Sequence, residues 1–452
     1  MWGNEPILNI LALEIVKLIA YSFPLPKNKA MRGCLGVEGE FCCCKGTHLE
    51  SNGKKQVLHL LGLSFFDMLS YAMLGPILTL LFLDGPHSIF ASSGSKHFLF
   101  GLYLSLFSFI QIFSVPFWGR ISLKTSKKQV LKITFFGNGI AYLIGFLGVL
   151  YAQVPLLFVG VIIAGLTCAN IPMINSLIAE NTPDKKWTEY FSLLGASIGL
   201  AFVIGPQISA LFIRNLPATI IGIAGFAICA VTSFLICFYI HFFLENDRFD
   251  KASQKNDPSL QWSKLFKGNR DLKKILGFQF CISLAWYFFI KFFQIYLIEA
   301  KCFGEADSCY GISYLGLCCC LWQVMRYLKE LSLSGKKHNF ISLVILMGLS
   351  ILGFLFVEKF TAIMVLIILL SFSYSMIVPA SISLLLNKGH DAKEMKTAWF
   401  QCVQCLAKVL APLLSGYMLT VSSDASAYLS CLALFFAAFI ILLSPKTFTL
   451  RP

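Results

Sequence analysis

Charge is what this chain has least of. Of its 452 residues, 13% are Asp, Glu, Lys or Arg and 57% are hydrophobic. A soluble chain carries about 25% charged residues, and it needs polar surface to cover its cores. Half that charge excludes a run of ordinary soluble domains. Collagen, disorder and a disulfide scaffold are excluded by the same composition. Acid is scarcer than base, with 23 Asp+Glu against 37 Lys+Arg. A basic total alone would suit nucleic acid. Here the basic residues sit in short clusters between long apolar runs, which is how a membrane protein fixes its orientation. The expected partners are therefore a lipid bilayer and a small molecule, not nucleic acid.

Other absences narrow the function. No GKS or GKT phosphate loop is present, so transport or chemistry driven by a bound nucleotide is not expected. No CxxC pair has a matching second pair, and most of the 16 Cys lie in apolar runs, where a thiol behaves as a small hydrophobe. His87, His97, His241, His338 and His390 fall in loops or at the ends of apolar runs, without a nucleophile–base or metal constellation. Neither an enzyme nor a bound cofactor or metal is expected. The apolar stretch 6–23 is interrupted by Glu14 and Lys17 and has no small-residue cleavage pattern. It reads as an interfacial helix or as sequence before a later start at Met31. Cys42, Cys43 and Cys44 beside Lys45 form a lipidation patch or an accidental run.

A membrane helix needs about 20 mainly apolar residues. Twelve such runs occur, at 58–83, 98–118, 130–151, 154–176, 189–212, 217–241, 274–298, 309–328, 340–358, 361–386, 397–420 and 426–444. The expected fold is all-α and polytopic, with two six-helix bundles. The expected organisation is an N-terminal extension over 1–57, bundles over 58–241 and 274–444, a polar linker over 242–273, and a short tail over 445–452. With both termini and the linker placed in the cytoplasm, the opposite side holds only Lys96, Arg214, Lys301 and Lys359 among the basic residues. Equal halves about a polar linker are the signature of a transporter built from two parallel repeats. Cys302 and Cys309 flank the loop CFGEADSC and are disulfide candidates in an oxidising compartment.

The exceptions inside the apolar runs are the candidate functional groups. Asp67 lies about ten residues into the first run, and a carboxylate there faces a cavity or a partner. It is the candidate proton carrier, with structural pairing as the alternative. Lys291 lies in the middle of the seventh run and faces water, a carboxylate (Asp67 among them) or an anionic substrate. Gln294 and Tyr287, at helical spacing, are expected on its face. Gln401, Gln404 and Lys408 form one polar stripe on the eleventh run, lining a pathway or neutralised by a loop acid. Gln111 and Asn170 are further cavity candidates.

Three segments carry a family resemblance. FGLYLSLFSFIQIFSVPFWGRISLKTSKK, at 100–128, resembles the second helix and following loop of the major facilitator superfamily, in its tetracycline and multidrug efflux branch. Gly119, Lys127 and Lys128 match the loop pattern, with Arg120 beside them, and Leu123 stands where the pattern has Asp. The resemblance implies a turn whose charges latch neighbouring helix ends, with Glu180 or Glu189 as acidic partners. GASIGLAFVIGPQISA, at 195–210, is similar to the branch's antiporter motif through Gly195, Gly199, Gly205 and Pro206. Pro412 and Gly416 echo it in the second half. In the fourth run Gly165 matches, while Val161 stands where the pattern places an Arg tied to proton coupling. The resemblance implies a monomeric secondary transporter that works by alternating access in a bacterial inner membrane. Its cargo would be drug-like compounds expelled against protons. Two lysines in second-half runs point instead to an organic anion, and a receptor with a transporter fold is a third reading.

Overall fold

The computed structural model describes residues 44–83, 96–183, 186–244, 270–291, 293–300, 304–328, 337–357, 359–387, 393–418 and 425–443. The chain divides into two units, 1–52 and 53–452. The first is described only at 44–52, which are helical. The stretch 6–23, Cys42, Cys43 and Cys302 lie outside the described residues. Cys309 is buried and its thiol faces the Glu305 carbonyl at 3.6 Å.

In the second unit every described element is a helix. The first span belongs to the helix Cys44–Leu83, and the second and third are Lys96–Lys124 and Lys127–Leu150. The fourth is broken into Val154–Leu166 and Asn170–Asn181. Trp187–Asn215 and Ala218–Phe243 complete the first half. The seventh is also broken, into Arg270–Ile290, a short turn Phe293–Ile295 and a π-helical end Tyr296–Ala300. Glu305–Tyr327, Lys337–Phe356, Phe360–Leu386, Lys393–Met418 and Ala425–Leu442 follow. Among the described residues, eleven helices are long and apolar enough to cross a membrane, and a shorter apolar stretch, Leu429–Leu442, stands at the twelfth position. Lipid offers no hydrogen bonds, so a spanning backbone must satisfy itself, and helices do this. Phe113, Phe117, Leu235, Phe238 and Phe435 are more than half exposed, where a soluble protein would place charge.

The two halves meet along two helix pairs. The second span packs on the eleventh, and the fifth on the eighth. Lipid tails are as apolar as leucine, so membrane helices associate through close packing of small residues. A Cβ on Gly199 would lie 2.9 Å from the Cys320 backbone nitrogen, and one on Gly316 would lie 2.7 Å from the Phe202 carbonyl carbon. Of the other expected hinge glycines, Gly195 and Gly205 sit at similarly close contacts, while Gly119 and Gly416 lie at ordinary distance from their neighbours. Gly119 faces Ala398, Gly195 faces Gln323, Gly205 abuts the Met73 backbone, and Gly416 lies near Gly101. Pro206 and Pro412 are inside their helices, where each removes a backbone bond.

The halves touch at both ends of the spans. On the linker side, the Thr188 and Ser383 hydroxyls are 2.7 Å apart. On the opposite side, Arg214 meets Asp307 at 3.5 Å and lies 5.3 Å over the Tyr310 ring. The space between them is therefore bounded from both sides.

Candidate substrate site

The centre of the protein is assembled from both halves. Asp67 and Tyr71 are four residues apart on the first span and share a face. Tyr71 is 37% exposed although it lies mid-span. Its neighbours are Phe202 of the fifth span, ring to ring at 6.3 Å, and Lys291 of the seventh. Tyr71 thus faces space between these three spans. Lys291 donates to the Tyr71 hydroxyl, and its ammonium lies 5.0 Å over that ring. Lys408 lies 5.4 Å over the Tyr287 ring. Tyr374 stacks on Trp286 at 3.8 Å and 11°. Two cations thus each lie against a tyrosine ring, and a third tyrosine stacks on the tryptophan one residue before Tyr287. Among the described residues, no carboxylate lies within the 4 Å of an ion pair from Lys291 or Lys408.

The alternative that Lys291 pairs with Asp67 is not what forms. Asp67 accepts instead from the Asn170 amide at 3.2 Å. Nor does a described loop acid neutralise Lys408. The helix is interrupted between Lys291 and Gln294, although both still meet the first span, at Tyr71 and Thr79. The last bond, from the Lys291 nitrogen to the Tyr287 carbonyl, is stretched to 3.4 Å. Beyond the break, Gln294 is buried and meets Thr79, two helical turns along the first span from Tyr71. No proline or glycine accounts for this interruption.

The break in the fourth span has a cause in sequence. Pro172 has no N–H to offer the Cys168 carbonyl four residues earlier, and its ring crowds that carbonyl. The helix lapses over Thr167, Cys168 and Ala169. Side chains from neighbouring spans satisfy the freed groups. Gln111 donates to the Cys168 carbonyl at 3.5 Å and to its sulfur at 2.9 Å. Ser114 reaches the Gly165 carbonyl at 2.6 Å, and Trp118 the Leu166 carbonyl at 2.8 Å. The far side of the Gln111 amide accepts from Cys405 of the eleventh span at 2.9 Å. Gln111 is thus a bridge between halves. Gln401 is buried and turned toward the Cys405 sulfur at 3.8 Å. Gln404 is half-buried, and no hydrogen bond joins it to another described residue.

The basic loop does its work at the linker side. Lys127 is buried and pairs with Glu180 at the end of the fourth span. Lys128 donates to the Leu244 carbonyl at the end of the sixth. Arg120 is exposed. Glu180 thus supplies the acid that Leu123 does not. Arg326 is buried and donates to the Met376 carbonyl of the tenth span, a helix–helix tie.

Four central residues carried no flag in the sequence. Tyr71 hides in an apolar stretch, Cys168 and Cys405 count there as small hydrophobes, and Tyr374 lies among serines. Only the prolines near two of them, Pro172 and Pro412, marked where backbone groups need outside partners.

Comparisons with known proteins agree with this architecture. The model of the Major Facilitator Superfamily matches residues 60–388. The tetracycline resistance protein of class H from Pasteurella multocida is 29% identical over 157 residues, 35% of this chain and 37% of that protein. The class D protein from Salmonella ordonez is 32% identical over 142 residues, 31% of this chain and 34% of that protein. The chain thus spans about a third of the length of these curated relatives. Among solved structures, the human organic anion transporter MFSD10 (TETRAN) is 16% identical, with a TM-score of 0.68 over 86% of this chain and 99% of that chain. The transporter FucP in its outward conformation is 13% identical, with a TM-score of 0.63 over 86% of this chain and 98% of that chain. These likenesses show the fold. The chain belongs to the Major Facilitator Superfamily, whose members are transporters and not enzymes, and resembles its tetracycline-resistance branch.

Proposed function

We propose that this protein is a secondary active transporter whose central site takes an organic anion, with the proton as coupling ion at Asp67. The observation that carries the reading is the pair Lys291 and Lys408, each against a tyrosine ring and neither with a described carboxylate as partner. A cation inside a membrane protein is costly unless something answers its charge. A bound carboxylate or sulfonate does so, and Tyr71, Tyr287 and Tyr374 offer faces to an aromatic ring. Contacts between the halves at both ends of the spans suit alternating access, in which the two bundles rock about a central site. The Lys/Arg bias supports a cytoplasmic linker face, and the likeness to bacterial proteins supports a plasma membrane as the location. A monomer holds every group invoked.

A second reading is favoured by the tetracycline resistance relatives: proton-coupled efflux of amphipathic drug-like compounds. One experiment separates them. Purified protein in proteoliposomes is given an imposed pH gradient and offered benzoate, phthalate, tetracycline and the cation tetraphenylphosphonium. The anion reading expects gradient-driven movement of the carboxylates and none of tetraphenylphosphonium. Movement of the cation and not of the carboxylates would reverse the choice. Movement of nothing, with binding retained, would favour the receptor.

A further inference from the structure

The break in the fourth span connects two features that transport must link: the carboxylate and the contact between halves. Its first piece is pinned. Ser114 and Trp118 hold its last carbonyls, and the Thr167 hydroxyl meets the Asn138 amide oxygen at 2.9 Å. The second piece opens with Asn170, whose Nδ2 donates to Asp67. Asn170 is 1% exposed, and its Oδ1 has no hydrogen-bond partner among the described residues. Between the pieces, Cys168 lies against Gln111, and Gln111 lies against Cys405 of the other half. Each contact in the series from Asp67 to Cys405 is direct or crosses one turn of unwound backbone.

We propose that Gln111 is a positioning residue that passes the charge state of Asp67 to the contact between the second and eleventh spans. This rests on the transport reading above. The proton comes from water in the cavity and ends on the Asp67 carboxylate. A bond from an amide to a carboxylate is charge-assisted, and it loses about half its strength once the acid is neutral. The new O–H needs an acceptor, and the unpartnered Asn170 Oδ1 supplies one when the amide turns. Turning Asn170 moves the unwound segment against Gln111. Gln111 then gives up either the Cys168 carbonyl or the Cys405 thiol, because one amide cannot follow both. Losing the second loosens the eleventh span, which then keeps, among the described residues, only the Ser105–Val409 and Cys402–Ile112 bonds to the second span.

The groups around Asp67 leave this route open. Asn170 meets it from the fourth span, with Cys168 on the same span and Tyr142 on the third as the other titratable groups within electrostatic range. Tyr71, one turn along its own helix, carries the Lys291 ammonium, and Lys408 acts on Tyr71 and Cys168. None of these bridges Asp67 to Cys405 except through the Asn170–Cys168 segment and Gln111.

The test needs no knowledge of the cargo. Amide hydrogen exchange of the purified full chain is followed through an acid-to-alkaline series. The native protein should change rate in peptides covering Cys168 and in peptides covering Cys405. Asp67→Asn should abolish both responses. Gln111→Ala should keep the first and cut the second by about fivefold or more, the lower end of ordinary site–site coupling. Cys405→Ala should behave as Gln111→Ala, while Cys405→Ser, which keeps a donor, should behave as native. A Cys405 response in Gln111→Ala equal to native overturns the link. So does a native protein with no response at either segment. If the exchange pattern appears but proteoliposomes move no benzoate or phthalate, the anion reading fails and the link stands.

Discussion

Gly101 offers a test of how tightly the halves are closed. It sits near the end of the second span that faces away from the linker. A Cβ there would stand 2.6 Å from the Pro412 carbonyl oxygen and 3.7 Å from the Gly416 Cα. Ordinary contact begins at 3.4 Å, so Gly101→Ala must part the second and eleventh spans by about 0.8 Å at this end. The obstacle is backbone and cannot swing aside as a side chain would. Overpacking of this kind costs about 1–3 kcal/mol. A state in which this end is open is spared the cost, so its population should rise by roughly 5- to 150-fold. Amide exchange reads the shift directly. Peptides covering 96–107 and 408–418 should exchange faster in Gly101→Ala, while those covering Thr188 and Ser383 should not. Gly75→Ala is the control, since nothing lies within 4 Å of its added Cβ. Unchanged exchange at 408–418, or faster exchange only at the linker side, would refute the reasoning.

Other predictions follow from single contacts. Lys127 is 8% exposed and Glu180 36% exposed in their pair. Glu180→Gln should therefore lower Tm more than the double change Lys127→Met with Glu180→Gln, because a buried ammonium without its carboxylate costs more than removing both charges. Equal Tm values would count against the pair as a linker-side latch. The Trp286–Tyr374 stack contributes about 0.5–1.5 kcal/mol beyond its buried area. Tyr374→Leu should therefore raise KM for phthalate more than for succinate, measured side by side in proteoliposomes. An equal rise for both would remove the aromatic wall from the site.

Much of this structure is written plainly in the chain, because lipid imposes one rule on every span. Long apolar runs, polar linker and biased loops place twelve helices without reference to their neighbours. The fold pairs were less visible, since packing depends on small residues such as Gly199 and Gly316, whose partners are distant in sequence. The central site was legible where it breaks the membrane rule with charge, at Asp67, Lys291 and Lys408. It was illegible where the contacts are made by residues that also suit lipid, at Tyr71, Cys168, Tyr374 and Cys405. Gln294 shows the limit of helical spacing. Three residues from Lys291 means the same face only while the helix continues, and it stops there with neither proline nor glycine to announce it. Pro172 is the contrary case, a break whose cause and position can both be read. Leu123 shows a third situation, in which a missing acid is replaced by Glu180 from another span.

The central claim is that Lys291 and Lys408 answer the charge of a bound anion. The most direct measurement is the KM for benzoate and phthalate uptake by proteoliposomes containing native protein, Lys291→Met, Lys408→Met or both. A hydrogen bond to a charged group contributes about 1.5–3 kcal/mol, so each single change should raise KM by roughly ten- to a hundredfold. Methionine keeps the length and apolar stem of lysine, so Tm should hold. Carboxylate KM values unchanged in the double variant, with Tm held, would contradict the account.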